Sequence, residues 1–344
     1  MAAPARHQPA AAILLGEMAS PPIPDERDGL VQAAAIEQAL KDRGIACSRI
    51  TLGLDLAAAA VTLRALAPAF AVNLVEQIGG SGRLVPLAPA LLDSLGIPYG
   101  GAGAEALSMT TNKPLAKRLL RLSGIDTPDW RMADESAESA DVAAGDGPWI
   151  VKSMFEEASI GLDATALVPA SSQLAAAFAA RAARPGGPWF AERYIEGREF
   201  NVSLLDGGEG GAARPRVLPV AEIRFVDFPA GLPRIVDYAA KWDESSFAYH
   251  HTCRAFPDSA ADAALLEKLA AQAVAAWNLF GLRGYARADF RVDEAGRPWM
   301  LEVNANPCLS PDAGFMAAAL RAGLDFAGVV AAILPVAAAL PGGT

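Results

Sequence analysis

The 344-residue sequence is poor in cysteine. Its three cysteines, Cys47, Cys253 and Cys308, are far apart in the chain and form no CxxC pair. An odd number of cysteines at such spacing excludes a disulfide scaffold and a zinc ribbon. This sparse use of cysteine is typical of proteins that fold in a reducing compartment, so we expect a cytoplasmic protein.

Positive charge is also scarce, because 29 Lys and Arg against 39 Asp and Glu leave a net charge of −10. Such a chain offers no basic face to nucleic acid or anionic lipid, so neither is an expected partner. The sequence also lacks the roughly 18–20 uninterrupted apolar residues of a membrane span. The nearest apolar run, residues 326–340, is broken by Pro335, and we interpret it as a C-terminal helix packed on the core.

Apolar residues make up 52% of the chain, which together with its length predicts a folded protein of about two or three domains. Residues 12–75 alternate between short apolar runs and segments with the apolar spacing of helices. That alternation predicts a parallel, doubly wound α/β sheet. Further along, the pattern predicts helices over 113–122 and 261–280, strands over 149–153, 190–194, 217–225 and 234–238, and an irregular loop over 240–257.

Residues 284–312 predict a β-hairpin that carries a concentration of charged and amide side chains. Arg287 and Asp289 are two residues apart in its first strand, and Glu302 and Asn304 are two apart in its second, so each pair shares a face. Folding back at the turn brings Asp289 roughly opposite Glu302. Two carboxylates and an amide oxygen suit Mg²⁺, a hard ion that prefers oxygen ligands. Arg287 would lie beside the metal, where it could stabilise developing phosphoryl charge.

An exposed hairpin face with ordinary surface charges is the alternative interpretation of this pattern. It accounts for Arg287, Asp289, Arg291 and Glu302, which are all common on solvated strand faces. It accounts less well for Asn304, because the Asn-Pro pair that follows opens a loop instead of continuing the strand. The pattern by itself leaves both interpretations open.

Several short sequence blocks stand in a fixed order along most of the chain. They are VNL (72–74) followed by GGSG (79–82), LGIPYGGAG (95–103), MTTNK (109–113), IVK (150–152), ERYIEGRE (192–199), LPVAEI (218–223), DYAAK (237–241), RAD (287–289) and LEVNANP (301–307). Together they resemble the ATP-grasp superfamily, and within it the D-alanine–D-alanine ligases most closely. Any one block would be a weak signal, but their number and order make the resemblance specific.

The resemblance implies an ATP-grasp fold, with an N-terminal doubly wound parallel sheet followed by two α+β domains that clamp ATP. It implies domain boundaries at residues 1–111, 112–197 and 198–344, with the metal site in the last domain. The implied activity is that of an ATP-dependent carboxylate–amine ligase, which forms a peptide or amide bond through an acyl phosphate. ATP and Mg²⁺, or Mn²⁺ in its place, are the implied cofactors. Small amino-acid or peptide-like substrates are the implied partners. The resemblance leaves open whether the protein forms a homodimer.

The resemblance also assigns residues to the ATP phosphates. Lys113 and Lys152 are similar to the lysines that hold these phosphates, and Ser159 lies in the segment that resembles the phosphate-covering loop. Lys241 lies in the segment that resembles the lid loop, within reach of the γ-phosphate. Arg287 corresponds to the arginine that contacts the reacting phosphoryl group and the tetrahedral intermediate.

A second set of residues is implied to bind the nucleoside. Glu192, Tyr194 and Ile195 lie in the segment that receives adenine, and Glu199 resembles the residue that accepts the ribose hydroxyls. Without the resemblance, Glu192 and Glu199 would be interpreted as exposed carboxylates at strand ends. The implied metal ligands are Asp289, Glu302 and Asn304.

The chain departs from the family pattern in the phosphate-covering loop, where residues 156–161 keep only the second half of the family's run of Gly and Ser, and where the family binds its amino-acid substrates. Residues 16–22 form a proline-rich segment without the glycine-rich motif and glutamate that follow the first strand in the family. Glu76 replaces a histidine, Trp242 the lid tyrosine, Cys308 a glycine, and Ala313 a serine. We therefore expect activation of a carboxylate by ATP, while the two substrates and their stereochemistry stay unidentified. An authentic D-alanine–D-alanine ligase of cell-wall synthesis and an ATP-binding regulator with a decayed substrate site are the two alternatives.

Overall fold

The computed structural model describes residues 10–133, 147–207, 214–257 and 260–335. These residues form three β-sheets with helices packed on and between them. One sheet is parallel and the other two are antiparallel. This combination confirms the predicted fold class, an α/β unit followed by α+β units. The last part of the predicted C-terminal helix, residues 336–340, lies outside the described residues.

The first sheet is parallel and has the strand order β2-β1-β3-β4. Its strands are β1 (Ala10–Gly16), β2 (Ala46–Leu52), β3 (Phe70–Asn73) and β4 (Tyr99–Gly100), and its helices are α1 (Pro24–Asp42), α2 (Leu56–Leu66) and α3 (Leu87–Leu95). Ile13 packs in one core with Ile36 of α1, whereas the adjacent Leu14 packs in a second core with Leu63 of α2. Both faces of β1 are therefore buried, which confirms the doubly wound arrangement.

The second sheet is antiparallel and has the order β5-β8-β6-β7. Its strands are β5 (Trp130–Met132), β6 (Trp149–Ser153), β7 (Leu167–Val168) and β8 (Trp189–Arg193), and α6 (Leu174–Arg181) packs on it. Ile150 of β6 lies opposite Glu192 of β8. Because alternate residues point to opposite faces, Lys152 and Glu192 project from the same face of neighbouring strands.

The third sheet is antiparallel, with the order β12-β11-β9-β13-β14 and a short β10 paired with β9. Its strands are β9 (Arg198–Leu205), β10 (Arg216–Val217), β11 (Ala221–Phe225), β12 (Thr252–Ala255), β13 (Tyr285–Val292) and β14 (Pro298–Asn304). The predicted strand over 217–225 is thus two strands, and the break falls around Pro219, which has no N–H to donate to a ladder.

The remaining helices pack on and between the sheets. They are α4 (Ala104–Thr111), α5 (Lys113–Leu122), α7 (Tyr238–Trp242), α8 (Phe247–His251), α9 (Ala263–Leu279), α10 (Gly314–Arg321) and α11 (Phe326–Ile333). Helices α4, α5 and α9 share one core with the third sheet, and α10 and α11 pack in the core of α1 and β1. No single helix among the described residues is long and apolar enough to cross a membrane; α10 and α11 reach the required length only together, and they are bent by 105°.

Residues 234–257 differ most from the sequence prediction. The predicted strand over 234–238 does not form, because the carbonyl of Arg234 accepts hydrogen bonds from the side chains of Arg291 and Tyr194 instead of a neighbouring strand. The predicted irregular loop contains α7, α8 and β12. Asp237 and Ser246 cap the two helices, accepting hydrogen bonds from backbone N–H groups at 2.8 and 3.0 Å. Such short capped helices carry too few residues for an apolar period to be visible.

Candidate active site

A cavity of about 480 Å³ lies between the second and third sheets and extends to the first. Its walls come from the loops after β3 and β6, from β8 and β9, from α7 and from the β13–β14 hairpin. Every site residue proposed from the sequence lines this cavity: Lys113, Lys152, Ser159, Glu192, Tyr194, Ile195, Glu199, Lys241, Arg287, Asp289, Glu302 and Asn304.

The β13–β14 hairpin has the predicted register. Asp289 pairs with Glu302, and Arg287 pairs with Asn304. The interpretation of this face as exposed surface is wrong, since Asp289 retains 8% of its accessible area. Arg287 donates two hydrogen bonds to the Asp289 carboxylate, from Nε at 2.7 Å and from Nη2 at 2.8 Å, and Asn201 donates a third at 2.7 Å.

The hydrogen bonds from Arg287 and Asn201 determine the charge of Asp289. Burial alone would raise the pKa of Asp289, but the Arg287 guanidinium and its hydrogen bonds lower it below the ordinary value. Burial likewise opposes the charge of Arg287, while Asp289 raises the pKa of this guanidinium further above its already high value. Both groups are therefore charged at neutral pH.

The donor set of the hairpin fits a hard divalent ion. Two carboxylates and the Asn304 amide oxygen, which also accepts a hydrogen bond from the Asn306 N–H at 2.8 Å, face the cavity. The described residues contain no group of three or more His, Cys, Asp or Glu side chains arranged to hold a metal. Mg²⁺ is commonly bound by one or two carboxylates, with phosphate and water supplying the other ligands. The residues present fit that mode.

Cationic side chains surround Glu302. Lys113, the first residue of α5, lies 3.9 Å from Glu302, donates to the carbonyl of Glu156 at 2.8 Å and pairs with Glu157 at 3.2 Å. Burial would lower the pKa of Lys113, but Glu157 and Glu302 raise it above its ordinary value. Lys241 of α7 has no ion-pair partner within the described ranges, and burial followed by the nearby Arg287 lowers its pKa. Lys241 is therefore a buried ammonium group that an anionic ligand in the cavity could neutralise.

Glu192 is the centre of a buried row of charges. Its carboxylate is 1% exposed and lies between the ammonium groups of Lys117, at 2.6 Å, and Lys152, at 2.5 Å. Burial would raise the pKa of Glu192, but these two lysines lower it below the ordinary value. Lys117 also donates to the hydroxyl of Thr127 at 2.9 Å. The sequence analysis did not identify Lys117, although its position four residues after Lys113 places both lysines on one side of α5.

A second buried pair lies at the other end of the cavity. Arg291 ion-pairs with Glu199 at 2.8 Å, and the two residues face each other across β13 and β9. Despite Arg291, burial raises the pKa of Glu199. The Arg291 guanidinium lies 5.5 Å from the centre of the Tyr194 ring. The predicted ribose and adenine residues are thus held together by Arg291, which the sequence pattern placed only on a strand face.

The loop after β6 covers the cavity and contacts two other parts of the chain. Ser159 donates its hydroxyl to the carbonyl of Val236 at 2.8 Å, and the Trp242 indole donates to the carbonyl of Ala158 at 3.1 Å. On the other side, the Gly82 N–H donates to both Glu156 carboxylate oxygens, at 3.1 and 3.2 Å. A single loop therefore connects α7 with the glycine turn of the first sheet.

Four residues that depart from the family pattern line the same cavity: Glu76, Trp242, Cys308 and Ala313. Two of them, Glu76 and Cys308, lie with Asp28 at one end of the cavity, which we term its N-terminal end. Burial raises the pKa of Glu76 to about 8, and the neighbouring Asp28 adds to this shift. Burial and Asp28 also raise the pKa of Cys308, which opposes a thiolate at this position.

Comparison with known proteins gives one consistent result. A family profile described as "D-ala D-ala ligase C-terminus" matches residues 119–335. A D-alanine–D-alanine ligase of Gloeobacter violaceus is 31% identical over 319 residues, which cover 90% of this chain and 95% of the relative. An uncharacterized protein of Sinorhizobium fredii is 33% identical over 265 residues, or 77% of this chain and 73% of that protein.

A solved structure has the same fold. The crystal structure of a D-alanine–D-alanine ligase from Bacillus anthracis complexed with ATP covers 94% of this chain and 95% of its own, with a TM-score of 0.71 and 21% sequence identity. The parallel first sheet and the two antiparallel sheets that follow it are therefore a known arrangement and not a new one.

Proposed function

Because the chain belongs to the D-alanine–D-alanine ligase family of the ATP-grasp superfamily, we propose that it binds ATP in the cavity and joins two small amino acids. One observation carries the proposal: a single cavity is lined by every residue that the sequence assigned to ATP, metal and phosphoryl transfer. We further propose the division into an N-terminal domain (1–111), a central domain (112–197) and a C-terminal domain (198–344).

The phosphates of ATP would lie against the cationic side chains. Lys113 and Lys152 would hold them, with Ser159 in the loop above and Lys241 at the γ-phosphate. The burial of Lys113 supports this assignment, because its attraction to a phosphate is stronger in a low-dielectric environment than in water. The nucleoside would lie next to Glu192, Tyr194, Ile195 and Glu199.

Asp289, Glu302 and Asn304 would hold the divalent ion. When bound, Mg²⁺ neutralises the phosphate charge that repels an attacking carboxylate. Arg287 is already oriented by Asp289, so its remaining N–H groups are available to an anionic oxygen without further ordering.

The reaction would have two steps. In the first, an oxygen of the donor carboxylate attacks the γ-phosphorus, the bond to ADP breaks and an acyl phosphate forms. In the second, the acceptor amine attacks the acyl carbon, phosphate leaves and the amine loses a proton. Acyl phosphates react with water, so exclusion of solvent by the loop after β6 and by α7 would protect the intermediate.

A panel of amino acids tests this proposal. Purified protein with ATP and Mg²⁺ should release phosphate with at least one amino-acid pair, and mass spectrometry should detect the corresponding dipeptide. D-alanine belongs in the panel, because the relatives are named for it and a D-alanyl-D-alanine product would identify an authentic D-alanine–D-alanine ligase.

Substitution of the hairpin carboxylates provides the control. Asp289→Ala and Glu302→Ala should each abolish amino-acid-dependent phosphate release, while Glu105→Ala, which removes an exposed carboxylate of α4, should leave it unchanged. Full activity in both hairpin variants would contradict the proposal. Tight ATP binding without turnover on any amine would instead favour a binding protein.

A further inference from the structure

The buried row formed by Lys117, Glu192 and Lys152 contains a residue that the proposed reaction does not use. Glu192 and Lys152 line the cavity, whereas Lys117 is absent from the described residues of the cavity wall. Lys117 is 1% exposed, and its ammonium group contacts only Glu192 Oε2 and the Thr127 hydroxyl among the hydrogen bonds and ion pairs described. Its direct contact with the cavity wall is therefore made through Glu192.

The order of charges along the row determines what the cavity presents to a ligand. Glu192 gives one carboxylate oxygen to each lysine, Oε2 to Lys117 and Oε1 to Lys152. With one carboxylate between two ammonium groups, the row retains one net positive charge. Lys152 is the member nearer to solvent, with 19% of its side chain exposed, so that charge lies on the cavity side.

Removal of Lys117 would change this balance without changing the cavity wall. Glu192 would then neutralise Lys152 alone, and the row would carry no net charge. A buried ion pair that loses one partner leaves an uncompensated charge that the remaining groups must satisfy. Lys152 would become the only counter-ion of Glu192 and would be less available to a phosphate.

We propose that Lys117 is a positioning residue that binds one half of the Glu192 carboxylate and so keeps the charge of Lys152 available to the polyphosphate of the nucleotide. This inference rests on the proposed function, because it takes the cavity to be the ATP site. It assigns to Lys117 a role that is electrostatic and is exerted at a distance from the nucleotide.

Binding of two probes tests the role of Lys117. The dissociation constants of ATP and of inorganic tripolyphosphate, each with Mg²⁺, can be measured by isothermal titration calorimetry on the full-length protein. Tripolyphosphate lacks adenine, so it reports on the phosphate end alone. For Lys117→Met we expect both constants to rise about 10- to 100-fold, as for the loss of one hydrogen bond to a charged group.

A charge-balancing variant separates this role from a purely structural one. In the double variant Lys117→Met/Glu192→Gln the row regains one net positive charge, so tripolyphosphate should bind almost as tightly as to the wild type. Lys117→Arg, which keeps the charge, should also bind both probes. Lys268→Met removes a positive charge from an exposed position of α9 and should change neither constant.

The outcomes are distinguishable. Unchanged tripolyphosphate binding in Lys117→Met, or no recovery in the double variant, would overturn the role of Lys117 and leave the proposed function standing. A wild type that binds neither probe would overturn both. If Lys117→Met does not fold, Thr127→Val removes the hydroxyl that orients Lys117. Its expected effect is a rise of about threefold in both constants, and no rise would overturn the inference.

Discussion

The two ends of the cavity differ in how their carboxylates are paired. At the phosphate end, Glu157, Glu192 and Asp289 each have a cationic partner within 3.2 Å. At the N-terminal end, Asp28 and Glu76 form no ion pair with the described side chains; Asp28 accepts hydrogen bonds from Ser310 and Cys308 instead.

This difference follows the boundary between retained and changed sequence. Glu192 and Asp289 lie in blocks that match the family, whereas Glu76 and Cys308 are departures from it. The carboxylates at the phosphate end are paired within the protein, so they cannot change independently of their cationic partners. The N-terminal end depends instead on hydrogen bonds from the neutral donors Ser310 and Cys308 and on the raised pKa of Glu76.

The largest effect on activity is expected from Arg287→Ala at the phosphate end. Loss of this guanidinium should lower kcat by about 10²–10³-fold, because a preoriented donor to developing charge is removed. Steady-state phosphate release with the best pair from the amino-acid panel measures this. Arg283→Ala removes an exposed arginine that stacks on Tyr99, and kcat should stay at the wild-type value; equal kcat in Arg287→Ala would contradict the role of Arg287.

The next prediction concerns Glu76 at the N-terminal end, which should make the free energy of unfolding depend on pH. The pKa of Glu76 is about 8 in the folded protein, against an ordinary value of 4.5. Between these values the folded state keeps a proton that the unfolded state has lost, so the free energy of unfolding falls as pH rises, by at most ~1.4 kcal/mol per pH unit. Above pH 8 Glu76 is ionised in both the folded and the unfolded state, and it no longer lowers the free energy of unfolding as pH rises.

Glu76→Gln should remove this contribution. Urea unfolding at about pH 5 and about pH 8 should show a smaller loss of stability in the variant than in the wild type. Glu105→Gln, at an exposed position of α4, serves as the control and should retain the wild-type pH dependence. An identical pH dependence in Glu76→Gln and the wild type would show that the N-terminal end is not held by a protonated carboxyl.

A smaller effect is expected for Ser310→Ala. The Ser310 hydroxyl is fully buried and donates to Asp28 at 2.7 Å. Its loss should lower the free energy of unfolding by about 1.5 kcal/mol, the lower range for a hydrogen bond to a charged group, since Cys308 still donates to Asp28. Urea denaturation measures the change, and Ser94→Ala, whose exposed hydroxyl bonds only within its helix, should be close to neutral. An unchanged free energy of unfolding in Ser310→Ala would show that Asp28 is solvated and does not depend on this hydrogen bond.

Local patterns were sufficient to predict much of the fold and the hairpin. Helix α5 and strand β6 have the predicted bounds, because their apolar spacing and end signals lie within the element itself. The pairing of Asp289 with Glu302 follows from the position of the turn.

Features that depend on distant parts of the chain could not be predicted in this way. The contact of Lys117 with Glu192 joins α5 to β8, and the contact of Gly82 with Glu156 joins the first sheet to the loop after β6. Neither partner carries a sequence signal for the other. Helices α7 and α8 are five residues each, which is too short for an apolar period to be visible in the sequence.

Helix α5 packs against the third sheet and forms an ion pair with the second. Its apolar side packs on the third sheet, while its Lys117 is paired with Glu192 on the second. Any rotation of the second sheet away from the third would pull these opposite ions apart and hydrate them. Separation of these two sheets would therefore break a buried ion pair, and the cost of leaving its charges uncompensated opposes such a movement.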